Sequence, residues 1–134
     1  MKKVLFIFAL VFSFVGLSAQ NYGIITGFGT AADTLVANAT KTYEFTYVGS
    51  VASKCEICLF SDSVSGTPAY TAILYKQYGT LTYLPVDTIT HSGGGDKTAV
   101  FEMFYLTANK YKVTVTATSA AQKSRLYLKG VYRQ

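Results

Sequence analysis

Residues 98–132 contain three runs, separated by two turn signals, in which apolar and polar side chains alternate with a period of two. The alternation is clearest in residues 110–118, where every second position is Lys or Thr. The apolar positions between them are Tyr111, Val113, Val115 and Ala117. This period, with many β-branched and aromatic residues, predicts half-buried strands at 98–105, 110–118 and 125–132. Three such strands have one apolar face, so we expect the rest of the mature chain to form a second layer over it.

The upstream sequence shows the same short period between turn signals. We predict strands at residues 33–37, 42–48, 54–60, 69–77 and 81–90. The breaks between them are a loop at 61–68, a tight turn at 78–80 and a Gly-rich loop at 91–96. About eight short strands, with no segment of helical periodicity, predict an all-β fold. We expect an antiparallel β-sandwich of the jelly-roll or immunoglobulin-like type.

Residues 1–19 have the features of an export signal. Lys2 and Lys3 precede an apolar run, and small residues stand before Gln20, as signal peptidase requires. The apolar run is shorter than the roughly 20 residues that a membrane-spanning helix needs. We therefore expect cleavage after Ala19 and no membrane span in the mature protein. The expected location is secreted, extracellular or on a cell surface, or in a virion.

Residues 20–32 are rich in Gly and aromatic residues, and we interpret them as an N-terminal arm before a sandwich domain at 33–134. An arm that cannot bury its apolar side chains on its own domain can add as a strand to a neighbouring copy. We therefore predict a homo-oligomer. The arm residues expected to make the contact are Tyr22, Ile24, Ile25 and Phe28.

The formal net charge of the chain is +5, and the basic residues are scattered. Five of them lie at alternate positions near the C-terminus: Lys110, Lys112, Lys123, Arg125 and Lys129. This arrangement is typical of a solvated sheet face, whereas a polyanion-binding face usually has a denser basic stripe. We expect no nucleic-acid partner.

Cys55 and Cys58 are separated by two residues inside a predicted strand. In an extended strand such positions point to opposite faces about 10 Å apart, whereas a disulfide needs Cα atoms within about 7 Å. The pattern favours two unpaired thiols. A local disulfide between Cys55 and Cys58 at a sharp bend, or a redox, metal-binding or intermolecular role, remains open at this point.

The sequence contains no convincing catalytic or cofactor-binding motif. His91 is the only histidine, so a zinc site with several His ligands is excluded. Ser92 and Asp96 lie close to it, but proximity on a loop does not make a catalytic triad. The Gly-rich residues 93–98 do not match a phosphate-binding loop. We expect a non-enzymatic protein with no catalytic residue, no cofactor and no metal.

Three Asp residues are each followed by Ser or Thr and an aliphatic residue. The hydroxyl residues of these triplets are Thr34, Ser63 and Thr88. The triplets resemble the O-glycosylation sequon of exported Bacteroidetes proteins, which makes these hydroxyls possible glycosylation sites. The alternative is that Asp-Thr pairs simply open strands.

Three tyrosines, Tyr75, Tyr78 and Tyr83, cluster around the predicted turn at 78–80. If they are exposed in a row, they could stack on sugar rings, which makes them candidate glycan-stacking residues. The alternative is that they pack in the core or at a subunit contact.

A family resemblance covers about half of the chain. Its signals are Ser65-Gly66-Thr67, the strand–turn–strand at 72–90, the glycines at 93–95, and the strands at 111–118 and 126–132. They resemble small exported jelly-roll-like β-sandwich proteins of Bacteroidetes and their phages. The resemblance implies virion decoration, filament subunits or surface-binding modules.

Two functions follow from these observations. The first is a non-enzymatic exported structural or assembly subunit of a surface filament, layer or virion, which self-associates through the N-terminal arm. The alternative is a carbohydrate-binding surface module with a cell-surface glycan as its partner.

Overall fold

The computed structural model describes residues 22–24, 33–47, 52–80, 82–106 and 109–133. These residues form nine strands and confirm the predicted all-β class. The strands are β1 (Tyr22–Ile24), β2 (Asp33–Val36), β3 (Thr40–Tyr47), β4 (Ala52–Gly66), β5 (Tyr70–Tyr78), β6 (Thr82–His91), β7 (Lys97–Leu106), β8 (Asn109–Ala117) and β9 (Gln122–Arg133). Within these ranges, no helix is long and apolar enough to cross a membrane.

The strands form two antiparallel sheets. The five-stranded sheet has the order β1-β9-β4-β7, and β2 also pairs with β9. The four-stranded sheet has the order β3-β8-β5-β6. Because β1 and β2 pair with successive parts of β9, they share one position at the sheet edge. When they are taken as one strand, the eight positions have the order of a jelly roll, which is therefore the type of sandwich that this chain adopts.

The strand at β8 confirms the alternation predicted from the sequence. Tyr111, Val113 and Val115 are almost fully buried, and Phe45 of the neighbouring β3 stacks on Tyr111 with ring centroids 5.3 Å apart. The five-stranded sheet contributes the opposite side of the core. Its fully buried side chains include Cys55, Ile57, Leu59, Phe101 and Leu126.

The expectation that the three C-terminal strands form one layer is wrong. β7 and β9 belong to the five-stranded sheet, whereas β8 lies in the four-stranded sheet. Both sheets of a sandwich bury one face, so alternation shows that a strand has an inner side but not which sheet contains it. The C-terminal strands therefore contribute to both layers.

The predicted loop at 61–68 is mostly strand. β4 continues to Gly66, and its last part pairs with β9 from Ser61 opposite Leu126 to Gly66 opposite Gln122, with a bulge between Ser63 and Ser65. The polar sequence suggested a loop, but pairing with a long neighbouring strand outweighs weak β propensity. The strand ends where Gly66 adopts a φ of 75°.

Candidate functional site

Two charged side chains and one aromatic side chain form a row across three strands on the outer face of the four-stranded sheet. On this face Glu44 of β3 lies opposite Lys112 of β8, and Lys112 lies opposite Tyr75 of β5. Directly opposed residues in antiparallel strands have Cβ atoms roughly 5 Å apart. A carboxyl group, an ammonium group and an aromatic ring therefore lie side by side on three adjacent strands.

Tyr83 of β6 joins this row because of a bulge. The pairing of β5 with β6 shifts between Leu74 and Tyr75, and Val86 is the extra residue on β6. An extra residue reverses which positions point outward along the rest of the strand. Tyr83 consequently lies on the same face as Tyr75.

The ammonium group of Lys112 lies over both tyrosine rings. Its Nζ atom is 4.9 Å from the centre of the Tyr75 ring and 4.3 Å from that of Tyr83. Both distances are within the range of cation–π attraction. We call the group formed by Glu44, Tyr75, Tyr83 and Lys112 the tyrosine–lysine cluster.

Burial raises the pKa of Tyr83, and the nearby carboxylate of Glu44 raises it further. The Tyr83 hydroxyl therefore keeps its proton at neutral pH and can both donate and accept a hydrogen bond. The cluster combines aromatic faces, a cationic donor, an anionic acceptor and a neutral hydroxyl on a solvent-facing sheet.

Two rows of mainly threonine side chains continue the same face, and we call them the threonine rows. From β3 to β6 the first row is Thr42, Thr114, Ile73 and Thr88, and the second is Thr40, Thr116, Thr71 and Thr90. The hydroxyls of Thr40 and Thr116 are 3.0 Å apart, and those of Thr71 and Thr90 are 3.3 Å apart. The rows place many small groups that both donate and accept hydrogen bonds beside the cluster.

The structure separates Tyr78 from the other two predicted stacking tyrosines. Tyr78 lines a cleft of about 320 Å³ where the edge strands β6 and β7 adjoin. The cleft is also lined by Lys76, Val86, Glu102, Met103, Phe104 and Tyr111. Tyr75 and Tyr78 lie three positions apart on β5 and therefore point to opposite faces, whereas Tyr83 reaches the face of Tyr75 through the bulge in β6. Glycan stacking by Tyr75 and Tyr83 stays a prediction.

Sequence reasoning did not include Glu44 and Lys112 among the stacking candidates. Both occupy outward positions of alternating strands, which is a signal for exposure but not for proximity. Their proximity depends on the register between β3 and β8, which brings together residues far apart in the sequence. Opposite charges at outward positions are the only hint that the sequence contained.

The two cysteines point to opposite faces of β4, and both thiols are free, so the possible local disulfide does not form. Burial, reinforced by Glu56 and Cys58, raises the pKa of Cys55 to about 12. Burial and Glu56 also raise the pKa of Cys58, although Lys129 acts in the opposite direction. Neither thiol has the lowered pKa of a redox cysteine. In the described ranges, no three His, Cys, Asp or Glu residues are grouped to hold a metal ion.

His91 ends β6 with its ring edge against Tyr70, at a centroid distance of 5.2 Å. The two Asp residues near it in the sequence accept hydrogen bonds from backbone amides. Asp96 accepts one from the Ser63 amide at 2.8 Å, and Asp87 accepts one from the Thr88 amide at 2.7 Å. These contacts are those of turn and strand-end residues, not of a base oriented for catalysis.

The possible glycosylation residues differ in exposure. Thr34 in β2 and Ser63 in β4 are half-buried, whereas Thr88 is exposed on the edge strand β6. Thr88 is therefore the most accessible of the three. Its modification, like that of the other two, stays a prediction.

Part of the predicted arm belongs to the sandwich. Tyr22–Ile24 forms β1 and pairs with β9 of its own chain, with Ile24 opposite Val131. Ile25 and Phe28 lie outside the described residues. Contact between the arm and a neighbouring copy stays a prediction.

The C-terminal basic residues do not share one face. Lys110 and Lys112 belong to β8 in the four-stranded sheet, whereas Lys123, Arg125 and Lys129 belong to β9 in the other sheet. This division favours solvated sheet faces over a single polyanion-binding stripe.

Comparison with known proteins shows similarity of fold. No protein-family model matches the chain, and no curated protein sequence matches it. A mitogen from Yersinia pseudotuberculosis is 14% identical, with a TM-score of 0.51, over 83% of this chain and 85% of the mitogen. The enzymatically active domain of tailspike protein 4 from bacteriophage CBA120 is 7% identical, with a TM-score of 0.51.

The similarity to the tailspike domain covers 82% of this chain but only 19% of the tailspike chain. A family 16 carbohydrate-binding module is 8% identical over 83% of this chain and 86% of the module, with a TM-score of 0.49. Similarity at these identities concerns the backbone alone, since different functions are built on one fold. The comparisons therefore identify the architecture as a jelly-roll β-sandwich.

Proposed function

We propose that this protein is a non-enzymatic surface module that binds a carbohydrate through the outer face of its four-stranded sheet. The observation that carries the proposal is the tyrosine–lysine cluster, in which two tyrosine rings and the Lys112 ammonium group form one solvent-facing patch. Binding sites typically combine aromatic surface with a few well-placed polar groups.

The chemistry of the face suits a sugar. A sugar ring has an apolar C–H face, which can pack on an aromatic ring, and a rim of hydroxyl groups. Lys112 donates hydrogen bonds and Glu44 accepts them, while the threonine rows can do both. Because Glu44 lies opposite Lys112, the cluster has no strong net charge. A neutral glycan is therefore a better ligand than a polyanion.

The test is binding to a panel of neutral soluble polysaccharides, measured by affinity electrophoresis and isothermal titration calorimetry. Tyr75→Ala and Tyr83→Ala should each weaken binding roughly three- to tenfold, the scale of one aromatic contact. Tyr78→Ala is the matched control, because Tyr78 lies off this face and is 49% exposed. Equal losses in all three variants, or no binding by the wild-type protein, would refute the proposal.

A second candidate function is that of an exported assembly subunit that self-associates through its N-terminal arm. The observation in its favour is that, within the described part of the chain, β1 spans three residues and pairs only with β9. So short a strand is weakly held and could instead pair with another copy. Deleting residues 20–32 should leave a folded monomer, whereas the full mature chain should assemble in light scattering. Normal assembly without the arm would exclude this function.

A further inference from the structure

The outermost strand of the five-stranded sheet has a free edge. β7 contains 10 residues and pairs with β4 without a register shift, from Ala52 opposite Leu106 to Ser61 opposite Lys97. On its other side, no described strand pairs with it. A long edge strand presents unpaired N–H and C=O groups that can pair with another chain.

β7 lacks two of the features that commonly protect an edge, a proline and a bulge. The neighbouring edge strand β6 contains Pro85 and the Val86 bulge, and both interrupt a regular edge. β7 contains neither a proline nor a bulge. The two edges that adjoin at the side of the sandwich therefore differ, and β7 is the one suited to pairing.

The outward face of β7 also exposes large apolar side chains. Phe104 is 67% exposed and Val100 is 40% exposed, and Glu102 lies between them on the same face. Beside this edge, the cleft lined by Tyr78 and Val86 adds further exposed apolar surface. Apolar surface concentrated at one edge is typical of an interaction site.

We propose that two copies of this chain associate by antiparallel pairing of β7 with β7 about a two-fold axis at Glu102. An antiparallel pair of identical strands is symmetric, so both copies use the same surface. In this register Val100 of each copy lies opposite the partner's Phe104. If the register between the two copies is shifted by two residues in one direction, Val100 lies opposite the partner's Glu102, and both apolar pairs are lost.

The register has one unfavourable contact, because the two Glu102 carboxylates face each other across the axis. Lys54 offsets this repulsion, since its Nζ atom lies 3.8 Å from Glu102 of the same copy. Lys54 also contacts Glu56 at 2.7 Å, and Lys76 lines the cleft beside Glu102. The charges around the axis are therefore mixed, and the apolar pairs on both sides of it favour association.

The first test is analytical ultracentrifugation of the mature protein over a wide concentration range. Phe104→Lys should weaken the dimer by up to about 25-fold, because both apolar pairs are lost and each changes association by up to about fivefold. Glu102→Gln should strengthen it by up to about fivefold. Val64→Lys is the matched control, since Val64 is 44% exposed on β4, beside the bulge, and does not line the β7 edge.

The second test fixes the register by cross-linking in a Cys58→Ala background. Glu102→Cys should form a disulfide-linked dimer under mild oxidation, because opposed Cβ atoms lie about 5 Å apart. Phe104→Cys should not, because it faces Val100 of the partner. Deleting residues 20–32 should leave this dimer intact, whereas assembly through the arm predicts a monomer after the same deletion, so the experiment separates the two hypotheses. A monomer at every concentration, a dimer insensitive to Phe104→Lys, or equal cross-linking at both positions would overturn the proposal.

Discussion

Lys112 is the residue that connects three strands of the four-stranded sheet. It extends from β8 over Tyr75 of β5 and Tyr83 of β6. A cation–π contact at an exposed site contributes roughly 0.5–1 kcal/mol, and Lys112 makes two of them. It therefore holds both rings in place in addition to presenting its own hydrogen-bond donors.

Lys112→Met keeps the length of the side chain but removes its charge. We expect it to lower the free energy of unfolding by about 1 kcal/mol and to weaken glycan binding, because the rings lose their common contact. Urea denaturation and calorimetric titration measure the two effects. Lys110→Met, two residues away on the same strand, is the control and should change neither. Identical results for both variants would contradict this role of Lys112.

Gly66 ends β4 with a φ of 75°, and a Cβ atom added there would clash with the carbonyl oxygen of Ala121. Gly66→Ala should therefore lower the free energy of unfolding by at least about 2 kcal/mol. Gly79→Ala is the control, because Gly79 has a φ of 65° but no atom lies near its added Cβ. It should cost only about 1 kcal/mol in urea denaturation. If both variants lower the free energy of unfolding equally, the expected clash between residue 66 and Ala121 does not destabilise the fold.

Alkaline pH should destabilise the fold through Cys55. Burial raises the pKa of this thiol from 9.0 to about 12, so above about pH 9 the unfolded chain releases a proton that the folded chain retains. The free energy of unfolding should fall as pH rises through this window. Burial raises the pKa of Tyr70 to about 12 as well, and its hydroxyl acts in the same direction.

Cys55→Val should reduce this dependence, measured by urea denaturation at about pH 8 and about pH 10.5. The part of the pH dependence that comes from the Tyr70 hydroxyl should remain. A variant with the same pH dependence as the wild-type protein would contradict the assignment to Cys55.

For individual residues, the sequence predicted some side-chain positions but not others. The opposite orientation of Cys55 and Cys58 was predictable, because it follows from extended geometry within one strand. The predicted group of three tyrosines is only partly brought together, because Tyr75 and Tyr83 share a face and Tyr78 lies on the other side of β5. The proximity of Glu44 to Lys112 could not be predicted, because it depends on pairing between distant segments.

Among the elements, β6 determines the composition of the candidate site. Its extra residue, Val86, interrupts the pairing with β5 and changes which side chains point outward. The outward positions include Tyr83 before the bulge, and they are Thr88 and Thr90 after it. One irregular residue thus places an aromatic ring beside Tyr75 instead of on the opposite side of the strand.

Deleting Leu84 should move Tyr83 one position along β6, opposite Lys76, and so turn it away from Lys112. We expect glycan binding to be lost while circular dichroism still reports a folded β protein. Leu84→Ala keeps the number of residues in β6 and should bind as the wild-type protein does. Binding that survives the deletion would show that Tyr83 is not needed on this face.

The sequence predicted regular elements better than irregular ones. β8 could be predicted because each of its positions follows the two-residue period. The end of β4 could not, because Ser61, Asp62 and Ser63 look like loop residues and become strand only through pairing with β9. The bulge in β6 has only an ambiguous sequence signal, since a proline such as Pro85 is compatible with an edge strand as well as with a bulge.

For the whole molecule, the sandwich was predictable and the strand order was not. Alternation shows that each strand has a buried side, but the assignment of strands to sheets depends on how the connections cross between layers. β7, β8 and β9 illustrate this, since they are consecutive in the sequence and alternate between the two sheets. Only the three-dimensional structure shows that the tyrosine–lysine cluster and the free β7 edge belong to different sheets.

The central positions of β8 and β9 have a consequence for biogenesis. Among the described strands, β3 pairs only with β8, and β1 and β2 pair only with β9, so the first strands of the sandwich cannot pair until β8 and β9 have been synthesised. During synthesis their apolar surfaces stay uncovered, and nascent chains in that condition tend to aggregate or to engage chaperones. The sandwich should therefore begin to fold only after β8 and β9 have been translated.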